Sequence, residues 1–85
     1  MFYTYILISE KDKKTYTGYT SNLEERLKYH NSGMVKATKN RRPFKIFYKE
    51  EFLTEQEAKE RERYFKSSVG RRKLKKIFGE HGKRA

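Results

Sequence analysis

Phe2-Tyr3-Thr4-Tyr5-Ile6-Leu7-Ile8 and Thr15-Tyr16-Thr17-Gly18-Tyr19-Thr20 are the two stretches from which the architecture is read. Both are rich in aromatic and β-branched residues, the types that fit a pleated, half-buried surface. Only Ser9 and the polar run Glu10 to Lys14 lie between them, so an antiparallel hairpin is the economical reading. Tyr5 and Tyr16 then sit on adjacent strands, in a register that the spacing leaves open.

Working outward, Ser21-Asn22 before Leu23-Glu24-Glu25 is a helix start. A short polar side chain satisfies an orphan backbone amide, and early acids suit the positive end of the helix dipole. The helix is expected to run to about His30 and stop near Gly33. Leu23, Leu27 and His30 share one face and Arg26 stands one turn before His30, which therefore points inward or at the rim. Met34 to Pro43 reads as a basic loop. Phe44 to Phe52 reads as the third strand, with Phe44, Ile46 and Tyr48 alternating with Lys45, Phe47 and Lys49.

Thr54 and Glu57 have capping-box spacing at the start of a second helix that reaches about Ser67. On it Ala58, Glu62 and Phe65 share a stripe, so a carboxylate lies among residues expected to face the core. Beyond Gly70, Arg71 to Phe78 reads as a short basic helix with Leu74, Ile77 and Phe78 inward, and Gly79 to Ala85 as a frayed end.

Eighty-five residues make one small domain with a modest core. Twenty-two Lys and Arg against 11 Asp and Glu give a formal charge of +11, which favours a polyanionic partner, nucleic acid before a membrane surface. No apolar run approaches the roughly 18 residues of a membrane-spanning helix, and no leader resembles a signal peptide, so a soluble, cytoplasmic protein is expected. The chain has no cysteine, which excludes disulfides and thiolate metal sites; a metal would sit on oxygen or imidazole ligands.

Tyr16, Gly18, Arg26 and His30 form one local cluster whose chemistry suits a phosphodiester. Hydrolysis needs a water that loses a proton, a phosphate relieved of negative charge and a stabilised leaving oxygen. Tyrosine, with a reference pKa of about 10, is a poor base at neutral pH unless nearby cations lower that value. The positive surplus of this chain pushes in that direction. Plainer readings stand beside these: the tyrosines as cross-strand packing, His30 as a hydrogen-bonded core residue, Glu62 in an ion pair with a neighbouring Arg, and Gly18 as relief for the turn into the helix. The basic segments that hold Lys36, Lys39, Arg41 and Arg42, and Lys66, Arg71 and Arg72, are expected to contact a phosphate backbone without reading its sequence.

Together these residues resemble the GIY-YIG nuclease superfamily, in particular its small single-domain members and the N-terminal nuclease domain of the UvrC excision-repair subunit. Tyr3-Thr4-Tyr5 stands at the first signature tripeptide and Tyr16-Thr17-Gly18 at the second. Thr20 to Arg26 with His30 matches the helix that follows, and Thr54 to Ala58 with Glu62 the helix that carries the family's metal-binding glutamate. The resemblance implies an α+β fold, a three-stranded antiparallel sheet flanked by helices, as one nuclease-like domain over residues 1–79 with a flexible basic tail over 80–85. It implies a metal-dependent endonuclease or structure-selective nuclease hydrolysing phosphodiester bonds in DNA, with DNA repair the setting of the UvrC relative it resembles.

By the same resemblance the catalytic residues are Tyr5, Tyr16, Arg26, His30 and Glu62. One tyrosine is the general base or orients water, Arg26 binds phosphate, and His30 contacts phosphate or transfers a proton. Glu62 is the single carboxylate ligand of one Mg2+ or Mn2+, and Gly18 lets backbone approach the site. Tyr3 stands where the family has glycine, Thr4 and Thr17 where it has isoleucine, and Tyr19 where some active relatives have lysine; no asparagine follows Glu62. A catalytically weak or inactive nucleic-acid-binding module is the second reading.

Overall fold

β1 (Phe2–Ser9) is the middle strand of an antiparallel sheet, between β2 (Thr15–Thr20) and β3 (Phe44–Phe52), in a computed structural model that describes residues 1–82 with side chains through Ile77. A central strand covered on both faces has no polar side to show, and Thr4 through Leu7 are all buried. α1 (Leu23–Asn31) covers one face, where Tyr5, Leu7, Leu23 and Phe44 pack together with Tyr3, Tyr16 and Leu27 around them. α2 (Glu55–Lys66) covers the other: the Thr4 hydroxyl donates to the Ala58 carbonyl at 2.7 Å, and the Tyr48 and Phe65 rings meet edge to face. Thr4 thus has a structural use where the family carries isoleucine, because its hydroxyl ties the central strand to α2.

Both helix starts form as read. Asn22 Oδ1 accepts from the Glu25 amide, and Thr54 and Glu57 complete the capping box. β3 departs from its alternation: Leu7 pairs with Ile46 but Ile6 with Tyr48, so Phe47 is an extra residue at a bulge. The bulge moves Tyr48 to the α2 face while Phe44 and Ile46 stay on the α1 face, an outcome a strict period of two does not anticipate.

α3 (Ser68–Gly82) starts earlier and runs further than the sequence suggests. Gly70 is not a break before the helix but is buried within its first turn. A Cβ there would lie 1.8 Å from the Tyr64 carbonyl oxygen and 2.6 Å from Phe65 Cα, so the missing side chain is what lets α3 press against the end of α2. Leu74 and Ile77 are half-buried; the expectation for the Phe78 side chain lies outside the described residues. The backbone stays helical through Gly79, where fraying is expected from sequence, since one glycine costs a helix only about 1 kcal/mol. Of the expected tail, residues 83–85 lie outside the described residues.

The loop from α1 to β3 contains a 3-10 turn, Lys39–Arg41, and is pinned at both ends. Asn31 Nδ2 donates to the Phe44 carbonyl while Asn31 Oδ1 accepts from the Phe44 amide, as a strand neighbour would. Ser9, wholly buried, donates to the Arg41 carbonyl at 2.6 Å and accepts from the amides of Lys11 and Asp12. The hairpin turn, the loop and α1 are thereby fixed together around the face that holds Tyr5.

Candidate active site

Tyr5 pairs with Gly18 and Leu7 with Tyr16, so the two signature tyrosines share a face one pleat repeat apart and are not directly opposite. The Tyr5 phenol lies across Gly18. A Cβ on Gly18 would come within 2.5 Å of the Tyr5 hydroxyl and 2.7 Å of Cζ. Gly18 therefore does not relieve a turn, since it lies within β2; it vacates the space that the phenol occupies.

The hydroxyl of Tyr5 is held from two sides. It lies 3.1 Å from His30 Nε2 and accepts from Arg26 Nε–H at 3.3 Å. The other ring nitrogen of His30 lies 2.9 Å from Thr38 Oγ1, and the Tyr16 ring packs edge-on against the imidazole at 5.0 Å. His30 is 0% exposed and Tyr5 1%. With both nitrogens bonded and no surface, His30 sits beneath the site and offers no face to a phosphate. Thr38 is the residue that sequence reasoning missed. It sits in a run of lysines and arginines that reads as a solvated loop, and only the small, uncharged Val35, Ala37 and Thr38 among them hint at a buried segment.

Arg26 and Tyr16 are the members of this set that meet solvent. Arg26 is half-buried and lines an open groove of about 400 Å³ with Thr20, Glu25 and Tyr29. Because Nε–H is spent on Tyr5, the two terminal NH2 groups of the guanidinium remain for an oxyanion. A phosphate held there is one guanidinium away from the Tyr5 oxygen.

Burial pushes the Tyr5 phenol above its ordinary pKa; the hydrogen bond and charge of Arg26 offset this only in part, and the charges of Tyr16 and Glu62 raise it further. The sequence suggests the opposite direction, but most of the positive surplus is on the surface, and desolvation disfavours a phenolate more than one guanidinium favours it. Burial, and then the charge of Arg26, push His30 down to about 4. The imidazole is neutral at pH 7.

Glu62 comes from the far side of the sheet. Ala58 and Phe65 on its stripe are buried at 0% and 1%, and Glu62 is half-buried at their margin, paired with Lys66 at 2.9 Å. Its partner is thus a lysine one turn on, not an arginine. No cluster of three His, Cys, Asp or Glu exists among the described residues. One carboxylate fits a hard divalent cation such as Mg2+, which keeps several waters and takes further oxygens from a phosphate.

Of the basic residues singled out, Lys36, Lys39, Arg42, Lys66, Arg71 and Arg72 are exposed. Arg41 is not available in the same way. It pairs with Asp12 at 2.8 Å, donates to the Thr15 carbonyl and lies over the Phe44 ring, which makes it a pin between hairpin and loop.

A small α+β domain that presents two strand tyrosines, an arginine and a histidine from one helix and a glutamate from the next belongs to a nuclease class of fold. The chain is a member of the GIY-YIG family: the model of the GIY-YIG catalytic domain matches residues 1–76. It is 46% identical over 78 residues to a UPF0213 protein of Clostridium perfringens, covering 91% of this chain and 83% of that one. It is 40% identical over 75 residues to the UPF0213 protein YazA of Bacillus subtilis, covering 87% and 74%. The solution NMR structure of a UPF0213 protein from Bacillus halodurans superposes with a TM-score of 0.53 at 36% identity, over 93% of this chain and 87% of that one.

Proposed function

We propose that this protein is a divalent-metal-dependent endonuclease that hydrolyses phosphodiester bonds in DNA. The observation that carries the reading is the Tyr5 hydroxyl, held between His30 Nε2 and Arg26 Nε–H beside a groove that opens at the same guanidinium. Arg26 binds the scissile phosphate through its terminal NH2 groups. Tyr5, one guanidinium away, accepts the proton of the attacking water. Tyr16 keeps the imidazole in place by packing, and Glu62, released from Lys66, is the metal ligand. A divalent cation there would neutralise phosphate charge and favour the ionised phenol and leaving oxygen. Exposed Lys36, Lys39, Arg42, Lys66, Arg71 and Arg72 position the backbone of the nucleic acid.

A panel of single-stranded, duplex, flapped and branched DNA and of RNA, incubated with Mg2+ or Mn2+ and with chelator, tests this. Metal-dependent cleavage that Glu62→Ala removes while binding persists is expected. Tight binding without cleavage of any substrate under either metal would favour the second reading, a binding module, for which the Lys66–Glu62 ion pair is the supporting observation.

A further inference from the structure

An open pocket of about 410 Å³ lies away from Tyr5, bordered by the hairpin turn, β3 and α3. Phe47 and Leu74 give it an apolar lining, and Lys13, Lys14, Arg71 and Lys75 stand around them. The two apolar residues are half-buried and the four cations exposed. Among the described residues none of the four has an ion-pair partner, and no carboxylate lines the pocket. Asp12, the acid of the same turn, is taken by Arg41. Two backbone irregularities meet here. Phe47 is the extra residue of the β3 bulge, and a bulge re-aims the side chain it carries. Lys13 has a φ of 62°, a left-handed conformation that costs an L side chain roughly 1–2 kcal/mol and glycine almost nothing. The turn needs that conformation, since the Lys13 amide donates to the Ser9 carbonyl and the Ser9 amide to the Lys14 carbonyl. A glycine would close it at less cost, so the lysine has a use that the turn does not supply.

Unpaired cations around one pocket call for a polyanion, and the apolar lining narrows which. A duplex presents its phosphates outward and keeps its bases stacked inside, so it has nothing to lay against Phe47 and Leu74. An unpaired nucleotide has both parts, a phosphate for the cations and a base with an apolar face. The position of the pocket points the same way. Arg71, Leu74 and Lys75 belong to α3, which presses against the end of α2, whereas Arg26 comes from α1 on the other face of the sheet. The molecule measures 34 × 29 × 20 Å. Duplex DNA, with a persistence length of about 50 nm, does not bend round so small a body; a single strand does. We propose that this pocket is a second nucleic-acid site, which takes an unpaired nucleotide of a substrate held at Arg26. The choice of nucleic acid among polyanions rests on the nuclease reading given above. A substrate that fills both sites carries an unpaired tail or branch beside the point of cleavage.

Binding measured in chelator, so that no cleavage intervenes, tests the site with three labelled probes: a single-stranded oligonucleotide, the blunt duplex of the same sequence, and that duplex with a single-stranded tail. The single-stranded and tailed probes are expected to bind about tenfold more tightly than the blunt one, with amide shifts at Lys13, Phe47 and Leu74. Phe47→Leu, which keeps an apolar side chain but loses the ring, is expected to remove most of that preference and to leave blunt-duplex affinity unchanged. Lys13→Gly carries a signature that a purely structural residue lacks. Its thermal stability is expected to hold or rise as the turn relaxes, while the salt slope of single-strand binding falls by about 0.7. Equal affinity for blunt and single-stranded probes, or unchanged single-strand binding in both variants, would overturn the proposal. So would polyglutamate binding with the same dependence on Phe47, which would make the partner an acidic protein. Selective single-strand binding without cleavage of any substrate keeps the pocket and removes the nuclease reading; cleavage with single-strand binding untouched in both variants does the reverse.

Discussion

Gly18→Ala places a methyl group within 2.5 Å of the Tyr5 hydroxyl, so the buried phenol must shift. Overpacking of this kind costs about 1–3 kcal/mol, and displacement of Tyr5 is expected to abolish cleavage; denaturant unfolding and a cleavage assay read the two effects. His30 makes an acid-sensitive prediction. Its pKa is pushed down to about 4 in the fold from about 6.5 in an unfolded chain. The unfolded state therefore binds the proton first as pH falls. The contribution is full above about 6.5 and is lost at about 1.4 kcal/mol per pH unit down to about 4. Stability measured against pH is expected to show that slope and His30→Gln to lack it. At this scale the sequence was half legible. Arg26 and His30 could be singled out because their types and spacing suit phosphate chemistry, and Tyr5 by the resemblance of its tripeptide, but what they do depends on register and burial. A two-residue offset between Tyr5 and Tyr16, and the space left by Gly18, are facts about pairing across strands, and Thr38 is hidden by the charges beside it.

Capping and close approach set the elements. Thr54→Ala removes a capping box and is expected to lower stability by about 1 kcal/mol without altering cleavage. Gly70→Ala is expected to be more damaging, because its Cβ would meet backbone of α2, which cannot rotate away as a side chain can; thermal unfolding of the two variants side by side checks the order. The contrast also explains which elements can be read in advance. Asn22 and Thr54 act on amides within three residues, so their signals are local. The bulge at Phe47 and the early start of α3 at Ser68 answer to partners elsewhere, β1 in one case and the end of α2 in the other. Glycine 70 is ambiguous in sequence because a helix stop and a tight helix contact use the same residue.

Across the whole molecule, the charge of +11 makes association with nucleic acid strongly dependent on salt. A protein that contacts six or more phosphates loses roughly 10³-fold in affinity between about 50 and 200 mM salt, and a slope near zero would contradict an electrostatic interface. Lys39→Ala and Arg42→Ala are each expected to reduce the slope by about one. Arg41→Ala should instead loosen the hairpin, since its charge is engaged by Asp12. The account depends most on Tyr5 as the group that takes the proton from water. Single-turnover cleavage by Tyr5→Phe, which keeps the ring across Gly18 and removes only the hydroxyl, isolates that claim. A rate loss of about 10²–10⁴ with DNA affinity unchanged is predicted. A rate within threefold of the wild type, or an equal loss in Tyr16→Phe alone, would place the chemistry on another residue.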